Sequence, residues 1–339
     1  MSRPANLPGI CDLNIVDSSS RETRPRLETT SRPFSARPKH IGFGLLVLGL
    51  TIGCFQHPSA VQIGDAVQSR VEKKIFESGA AEAEGAPTAF VVPRDQITQI
   101  SIINALMLGQ YDGITTFGEL LEYGDFGVGT LNQLDGELIV LDGQGYQVHS
   151  DGSVALVDAS AKTPFAVVTP FDQTEQQSLP QIESLEWLDE RLDEAIGHPN
   201  QFIAIRIHAD FAMITLRSVK AQSPPYRPLG VVAKEQSVWT REKVAGTLIG
   251  IRCPAWVQGL NVPGYHWHFL SDDHTIGGHV LKCTAGSATA YYDVCREWLV
   301  RLVDSPGFDT SDLHQDLNRE LRSVESARDS EARTENPEK

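Results

Sequence analysis

Glu137-Leu138-Ile139-Val140-Leu141-Asp142-Gly143-Gln144-Gly145-Tyr146-Gln147-Val148-His149 is the stretch that decides the fold class. Residues 137–141 form a short apolar run and 146–149 an alternating one, and the four residues between them are turn formers, the pattern of a β-hairpin. Outward from it, Asp151-Gly152 marks another turn, and residues 164–168, 202–208 and 211–217 supply further strand-like runs. Runs so short and so closely bounded by turns predict an antiparallel sheet.

Helical spacing interrupts the strands at a few places. Residues 97–108 read as a helix, followed by a Gly-containing turn and a second helix at whose start Thr116 and Glu119 form a T-x-x-E capping box. Leu185, Leu188, Leu192 and Ile196 recur on one helical face, with Gly197 and Pro199 placed to stop it. Leu313, Leu317 and Leu321 form a last stripe, and the chain beyond 326 is charged and expected to fray. The order of strands, helix, strands and terminal helix predicts an α+β protein. Two sheet-based lobes with mixed or antiparallel strands are expected over 94–175 and 176–325, joined near 172–184.

The whole chain has 339 residues, enough at roughly 100–200 residues per domain for one large or two ordinary domains. Hydrophobic residues at 41% and charged residues at 22% exclude collagen-like, coiled-coil and wholly disordered chains. A formal charge of -15 repels a phosphate backbone over most of the surface, so nucleic acid is not an expected partner.

The first 40 residues differ, with seven Arg or Lys against four Asp or Glu and no apolar periodicity, and read as a disordered basic leader. Residues 41–55 are an uncharged apolar run shorter than the roughly 20 residues a spanning helix needs. Basic flank, short apolar core and Gly53 before Cys54 fit an export signal, which predicts a periplasmic or extracellular protein, lipid-anchored if Cys54 is modified. A short membrane anchor or a buried helix is the plainer reading, and the protein is cytoplasmic if the run is no signal. Residues 56–93 read as a polar linker. Cys11 and Cys54 lie in the leader, while Cys253, Cys283 and Cys295 in the body read as small buried apolar residues, not a disulfide framework. A homodimer is compatible with the sequence but not fixed by it.

The chemistry concentrates in Gly264-Tyr265-His266-Trp267-His268-Phe269 and Gly277-Gly278-His279. Residues two apart on a strand share a face, so His266 and His268 present both imidazoles to one metal ion while Trp267 faces away. The polar stretch 271–278 turns the chain and lets His279 complete the set, leaving a position on a zinc ion open for substrate. An isolated HxH on a strand is usually structural; the third histidine on a returning strand is what favours a metal site. His274, in the loop, reads as solvated.

With these motifs in view, the sequence resembles the zinc-dependent acetolactate decarboxylases. The likeness runs over about residues 97–324, through Tyr111-Asp112-Gly113, Gly124-Asp125-Phe126-Gly127-Val128-Gly129-Thr130, Leu134-Asp135-Gly136-Glu137-Leu138, Thr163-Pro164-Phe165-Ala166-Val167-Val168 and the histidine hairpin. The resemblance implies zinc on His266, His268 and His279, an active-site glutamate at Glu137 and an active-site arginine at Arg217. It implies a second glutamate near the C-terminus, where Glu325 is the choice and Glu320 the rival. It also implies conversion of acetolactate to a single enantiomer of acetoin, zinc chelating the ketone and hydroxyl oxygens and Arg217 holding the carboxylate or the developing oxyanion. Glu137 or Glu325 would then return the proton, and Thr130 could contact substrate.

Read alone, Glu137 is a solvated hairpin residue, Arg217 a surface cation, Glu325 the wet face of a terminal helix, and Thr130 a turn residue bonded to its own backbone. The competing functions are a zinc hydrolase, with water in the open position, and an exported metal-binding protein without activity.

Overall fold

The computed structural model describes residues 92–326, all within one unit of the chain. The basic leader 1–40, the apolar run 41–55 with Cys54, nearly all of the linker and the tail after 326 lie outside the described residues. In chain order the strands are β1 Gln96–Ile100, β2 Thr115–Thr116, β3 Phe126–Thr130, β4 Glu137–Leu141, β5 Gln144–Val148, β6 Val154–Leu156, β7 Lys162–Thr163 and β8 Phe165–Thr169. They continue as β9 Glu175–Leu179, β10 Phe202–Ser218, β11 Ser237–Cys253, β12 Gly264–Ser271, β13 Gly277–Ala285, β14 Ala288–Cys295 and β15 Glu297–Arg301. The helices are α1 Ile103–Met107, α2 Phe117–Leu121, α3 Leu185–Ile196, α4 Leu229–Val232, α5 Pro306–Thr310 and α6 Asn318–Glu325.

Two sheets carry the fold. The first has seven strands in the order β15-β1-β8-β3-β4-β5-β6, antiparallel except for the parallel β1–β15 pair. The second runs β11-β12-β13-β10-β14-β9, and β10 also pairs with β11, so β10, β13, β12 and β11 close into a ring. The sheets do not divide the chain at one point: β15, from the far C-terminal part, adds to the sheet of the N-terminal strands. An apolar cluster containing Phe126, Val128, Ile139 and Val167 of the first sheet with Ala204, Ile249 and Ile251 of the second lies between them. The other face of the second sheet packs Ile203, Ile205, Trp267 and Phe269 against Leu188, Leu192 and Ile196 of α3.

The hairpin of β4 and β5 is present, with a tighter turn than expected. Only Asp142 and Gly143 form it, both left-handed at φ 51° and 75°, the pairing of a two-residue turn whose twist suits the strands. Residues 202–208 and 211–217 are halves of one 17-residue strand, β10, which bonds β14 along the first half and β13 along the second. Thr116 and Glu119 make the reciprocal capping box of α2, and Ser184 caps α3, which Gly197 ends.

Two helical expectations fail. Residues 97–108 hold strand β1 and then the short helix α1; all five β1 residues are buried, so the strand shows none of the alternation that would separate it from a helix. The terminal stripe is also broken: Leu313 lies outside α6, which begins at Asn318. Cys253, Cys283 and Cys295 are buried free thiols, and burial pushes the Cys295 thiol up to about 11.

Candidate active site

β12 and β13 are paired as the histidine spacing requires, with His268 directly opposite His279. His279 in turn lies opposite Arg217 of β10, so Arg217, His279 and His268 form one row across three adjacent strands, with His266 two positions along β12. Cross-strand partners share a face, which places all four side chains on one side of the sheet and Trp267 in the apolar cluster on the other. Gly278 has φ +139°, and a Cβ there would stand 2.8 Å from the Arg217 carbonyl oxygen, so only glycine lets β13 run this close to β10 just before His279.

Glu137 comes from the facing sheet. It opens β4 directly after Gly136, which has φ +79° and where a Cβ would stand 2.2 Å from the Val148 carbonyl oxygen, so no side chain fits at that position. The residue after Glu137 supplies a second anchor: the Leu138 carbonyl accepts from His268 Nδ1 at 2.9 Å. A carbonyl can only accept, so Nδ1 carries the proton and Nε2 presents its lone pair to the site. Glu325, the last residue of α6, closes the other side, and Leu321 and Val324 of the same helix are buried in the core that holds it there.

The polar atoms converge closely. One nitrogen from each of His266, His268 and His279 lies within 4.8 Å of the other two. Glu137 Oε2 is 3.5 Å from His268 Nε2, while Glu325 Oε2 is 3.5 Å from His279 Nε2 and 3.8 Å from His266 Nε2. Arg217 joins the two carboxylates, donating from Nη1 to Glu137 Oε1 at 2.8 Å and standing 3.5 Å from Glu325 Oε1 through Nη2. Glu320, the rival to Glu325, instead packs near Gly230, and its substitution for Glu325 in this site has no support in the geometry.

Burial sets the electrostatics. Glu137 is 6% exposed, and loss of water pushes its carboxyl up to about 7 in spite of Arg217, with Glu325 adding to the rise. Burial lowers His266, and it lowers His268 and His279 further, aided by neighbouring imidazoles and by Arg217. All three rings are therefore held neutral, the form that ligates a metal.

The arrangement also fits bound ligands by what it leaves unpaired, ring nitrogens and a carboxylate oxygen for a cation and, at Arg217, an N–H for an anion. Six buried side-chain polar atoms among the described residues have no hydrogen-bond partner, and four belong here: Arg217 Nε, His268 Nε2, His279 Nδ1 and Glu325 Oε2. Leaving such atoms unmet costs roughly 1–3 kcal/mol each, so their concentration in one place marks a ligand site. Imidazole nitrogens with carboxylate oxygens suit a divalent transition metal.

Two cavities adjoin the site. The smaller, about 40 Å³, is lined by Thr130, Glu137, Arg217, His266 and Glu325 with apolar residues of β8, α1 and α4. The larger, about 540 Å³, touches His279 and Glu325 but is otherwise walled mainly by α3, β12 and β13, with Glu183, Glu186 and Asp189 among its lining residues. Of the two, only the smaller holds Arg217 and Glu137. Thr130 lines it while donating to the Gly136 carbonyl at 2.7 Å, so its hydroxyl also braces the turn before Glu137.

The sequence-expected residues Glu137, Arg217, Glu325, His266, His268 and His279 thus meet at one point, and Thr130 borders it. His274 is exposed and packs edge-on against Tyr146, away from the set. Sequence reasoning missed the Leu138 carbonyl and the apolar wall of Leu106, Val219 and Leu229; the one signal for these was that Val219 falls two residues beyond Arg217, on the same face of an extended chain.

The family model for alpha-acetolactate decarboxylase matches residues 97–315. The chain is 42% identical over 231 residues to the alpha-acetolactate decarboxylase of Methylococcus capsulatus, an alignment covering 68% of this chain and 89% of that protein. It is 39% identical to that of Methanosarcina mazei, over 68% of this chain and 80% of the relative. The crystal structure of alpha-acetolactate decarboxylase from Bacillus subtilis superposes with a TM-score of 0.67 at 32% identity, covering 68% of this chain and all of that one. The chain therefore belongs to the alpha-acetolactate decarboxylase family, and is a carboxy-lyase.

Proposed function

We propose that the protein converts 2-acetolactate to acetoin in the cavity between Arg217 and the histidine row, with zinc held by His266, His268 and His279. The observation that carries this is the meeting of three neutral imidazoles with a buried Glu137–Arg217 pair and Glu325 around one small cavity. When bound, the zinc ion supplies a Lewis acid to the hydroxyl and ketone oxygens of the substrate.

The chain's own groups do the rest. Arg217 holds the substrate carboxylate: its Nε–H is buried without a protein partner and is free to donate to an entering oxygen, and its planar fork suits a carboxylate. As the bond from C2 to the carboxyl carbon breaks, carbon dioxide leaves and the electron pair moves between C2 and C3, giving an enediolate with its charge on the former ketone oxygen. The guanidinium charge stabilises that build-up of negative charge in a buried site. Glu137, whose carboxyl burial raises to about 7, can both hold and release a proton near neutral pH and delivers it to C2, yielding acetoin. Glu325 faces the same centre from α6 and positions Arg217 from the other side. Carboxylates on fixed walls give the proton to one face only, and one enantiomer results. Export by way of residues 41–55 belongs to the same reading and rests on the sequence alone, as does assembly into a homodimer.

The test is acetoin formation from racemic acetolactate by the purified chain, before and after chelation. Activity lost on chelation and restored by zinc supports the reading. Zinc-loaded protein that makes no acetoin above the spontaneous rate overturns it, and ester and amide hydrolysis then become the assays to run.

A further inference from the structure

The cavity that holds Arg217 has a second chemical character, because every lining group beyond the polar cluster is apolar. We infer that Leu106, Val219 and Leu229 determine which alkyl group C2 of a 2-hydroxy-3-keto acid can carry, and so act as the enzyme's size filter. This rests on the decarboxylase reading above and deepens it.

The chemistry of the substrate directs its alkyl groups to this wall. Carboxylate, hydroxyl and ketone oxygens occupy three successive carbons and are all claimed by the polar end, so only the alkyl groups remain to meet the apolar wall. A cavity of about 40 Å³ leaves that wall in close contact with whatever it receives. Discrimination then depends on whether the wall yields, since an added methylene in a rigid pocket is rejected roughly 10- to 200-fold.

Three anchors keep it from yielding. Val219 follows Ser218, whose buried hydroxyl donates to the Val148 carbonyl at 2.7 Å and ties the end of β10 to β5. The segment leading to Leu229 is held by the Tyr111 hydroxyl, which donates to the Arg227 carbonyl at 2.9 Å. Leu106 sits on α1, fixed by Asn104 Nδ2, which donates to the Leu313 and Gln315 carbonyls at 3.0 Å each. All three apolar side chains are buried and belong to one packed cluster.

The experiment compares kcat/KM for racemic acetolactate with that for its homologue bearing a 2-ethyl group, in wild type, Val219→Ala, Leu229→Ala and Val219→Leu. The ratio of the two values cancels any loss of folded protein, so a poorly folding variant still reports. Val219→Ala and Leu229→Ala are expected to shift the ratio roughly tenfold toward the ethyl substrate, and Val219→Leu to shift it the other way. Active wild type whose ratio stays unchanged in all three variants overturns the inference alone. Wild type that makes no acetoin overturns the decarboxylase reading, and the inference with it.

Discussion

Arg217 and Arg252 are both 4% exposed and sit on neighbouring strands, β10 and β11, yet their surroundings differ in kind. Arg252 is met by protein alone: Asp193 at 2.9 Å and the carbonyls of Gly197 at 3.0 Å and His198 at 2.6 Å, so its guanidinium completes the C-terminal end of α3. Arg217 leaves Nε without a partner, divides its remaining donors between two carboxylates, and opens on a cavity beside three histidines. A buried charge fully met by its own chain is satisfied by the fold and costly to strip of its partners; one left partly unmet is available to a ligand. The depth of burial does not distinguish them, whereas the tally of partners does.

The largest expected effect falls on the unmet side. His268→Ala removes the imidazole that Leu138 orients, and bound zinc measured by elemental analysis is expected to drop from stoichiometric to trace, with acetoin formation falling to the spontaneous rate. Retained zinc with full activity would detach the histidine row from the site. Next, Glu137→Gln keeps an oxygen for Arg217 but no transferable proton, and kcat is expected to fall about 10²–10⁴-fold at unchanged metal content. The matching change in the other region, Asp193→Asn, removes the charge from the partly exposed partner of Arg252 and is expected to leave kcat unaltered. Equal losses in the two variants would erase the contrast.

A smaller effect concerns Asp189 of α3, which accepts from Trp267 Nε1 at 2.9 Å behind the histidine strand. Burial pushes its carboxyl up to about 7, opposed by the Trp267 bond and aided by Asp193, Glu186 and Glu190. The folded chain therefore holds a proton that the unfolded chain loses above about pH 4. This lowers stability as pH rises from there to about 7 and costs nothing further above it. Asp189→Asn stays neutral and keeps an acceptor for Trp267, so its Tm should gain on wild type across that window by roughly 2–4 °C per kcal/mol and then plateau. A constant difference from pH 4 to 8 would contradict the assignment.

Much of this was legible in the sequence for identifiable reasons. The histidine row can be read because strand alternation and a turn of suitable length suffice to bring His266, His268 and His279 together. The capping box of Thr116 and Glu119 and the stripe of α3 are local patterns with local causes. β1 passes for a helix because its two apolar residues, Ile97 and Ile100, stand three apart in line with Ile103 and Leu106, and its polar residues Gln96, Thr98 and Gln99 are buried too, so no alternation of exposure marks the strand. β11 gives no local signal: its first half is mostly exposed and polar, and its strand character comes from pairing along all of β10. Glu137 is hidden more deeply, since Asp-Gly-Glu at a strand start reads as solvated and the burial comes from a sheet assembled 80 residues later around Arg217. The role expected of it is visible in the sequence only through family resemblance, and the structure adds its burial against Arg217 and His268.

The contrast between the two arginines is tested most directly by making Arg217→Met and Arg252→Met and measuring Tm and kcat/KM for acetolactate on both. A crossed result is expected: Arg217→Met loses activity by orders of magnitude in the protein that remains folded, beyond anything its change in Tm accounts for, and Arg252→Met loses Tm while the folded enzyme keeps its kcat/KM. Two variants that lose stability and activity in the same proportion would contradict it.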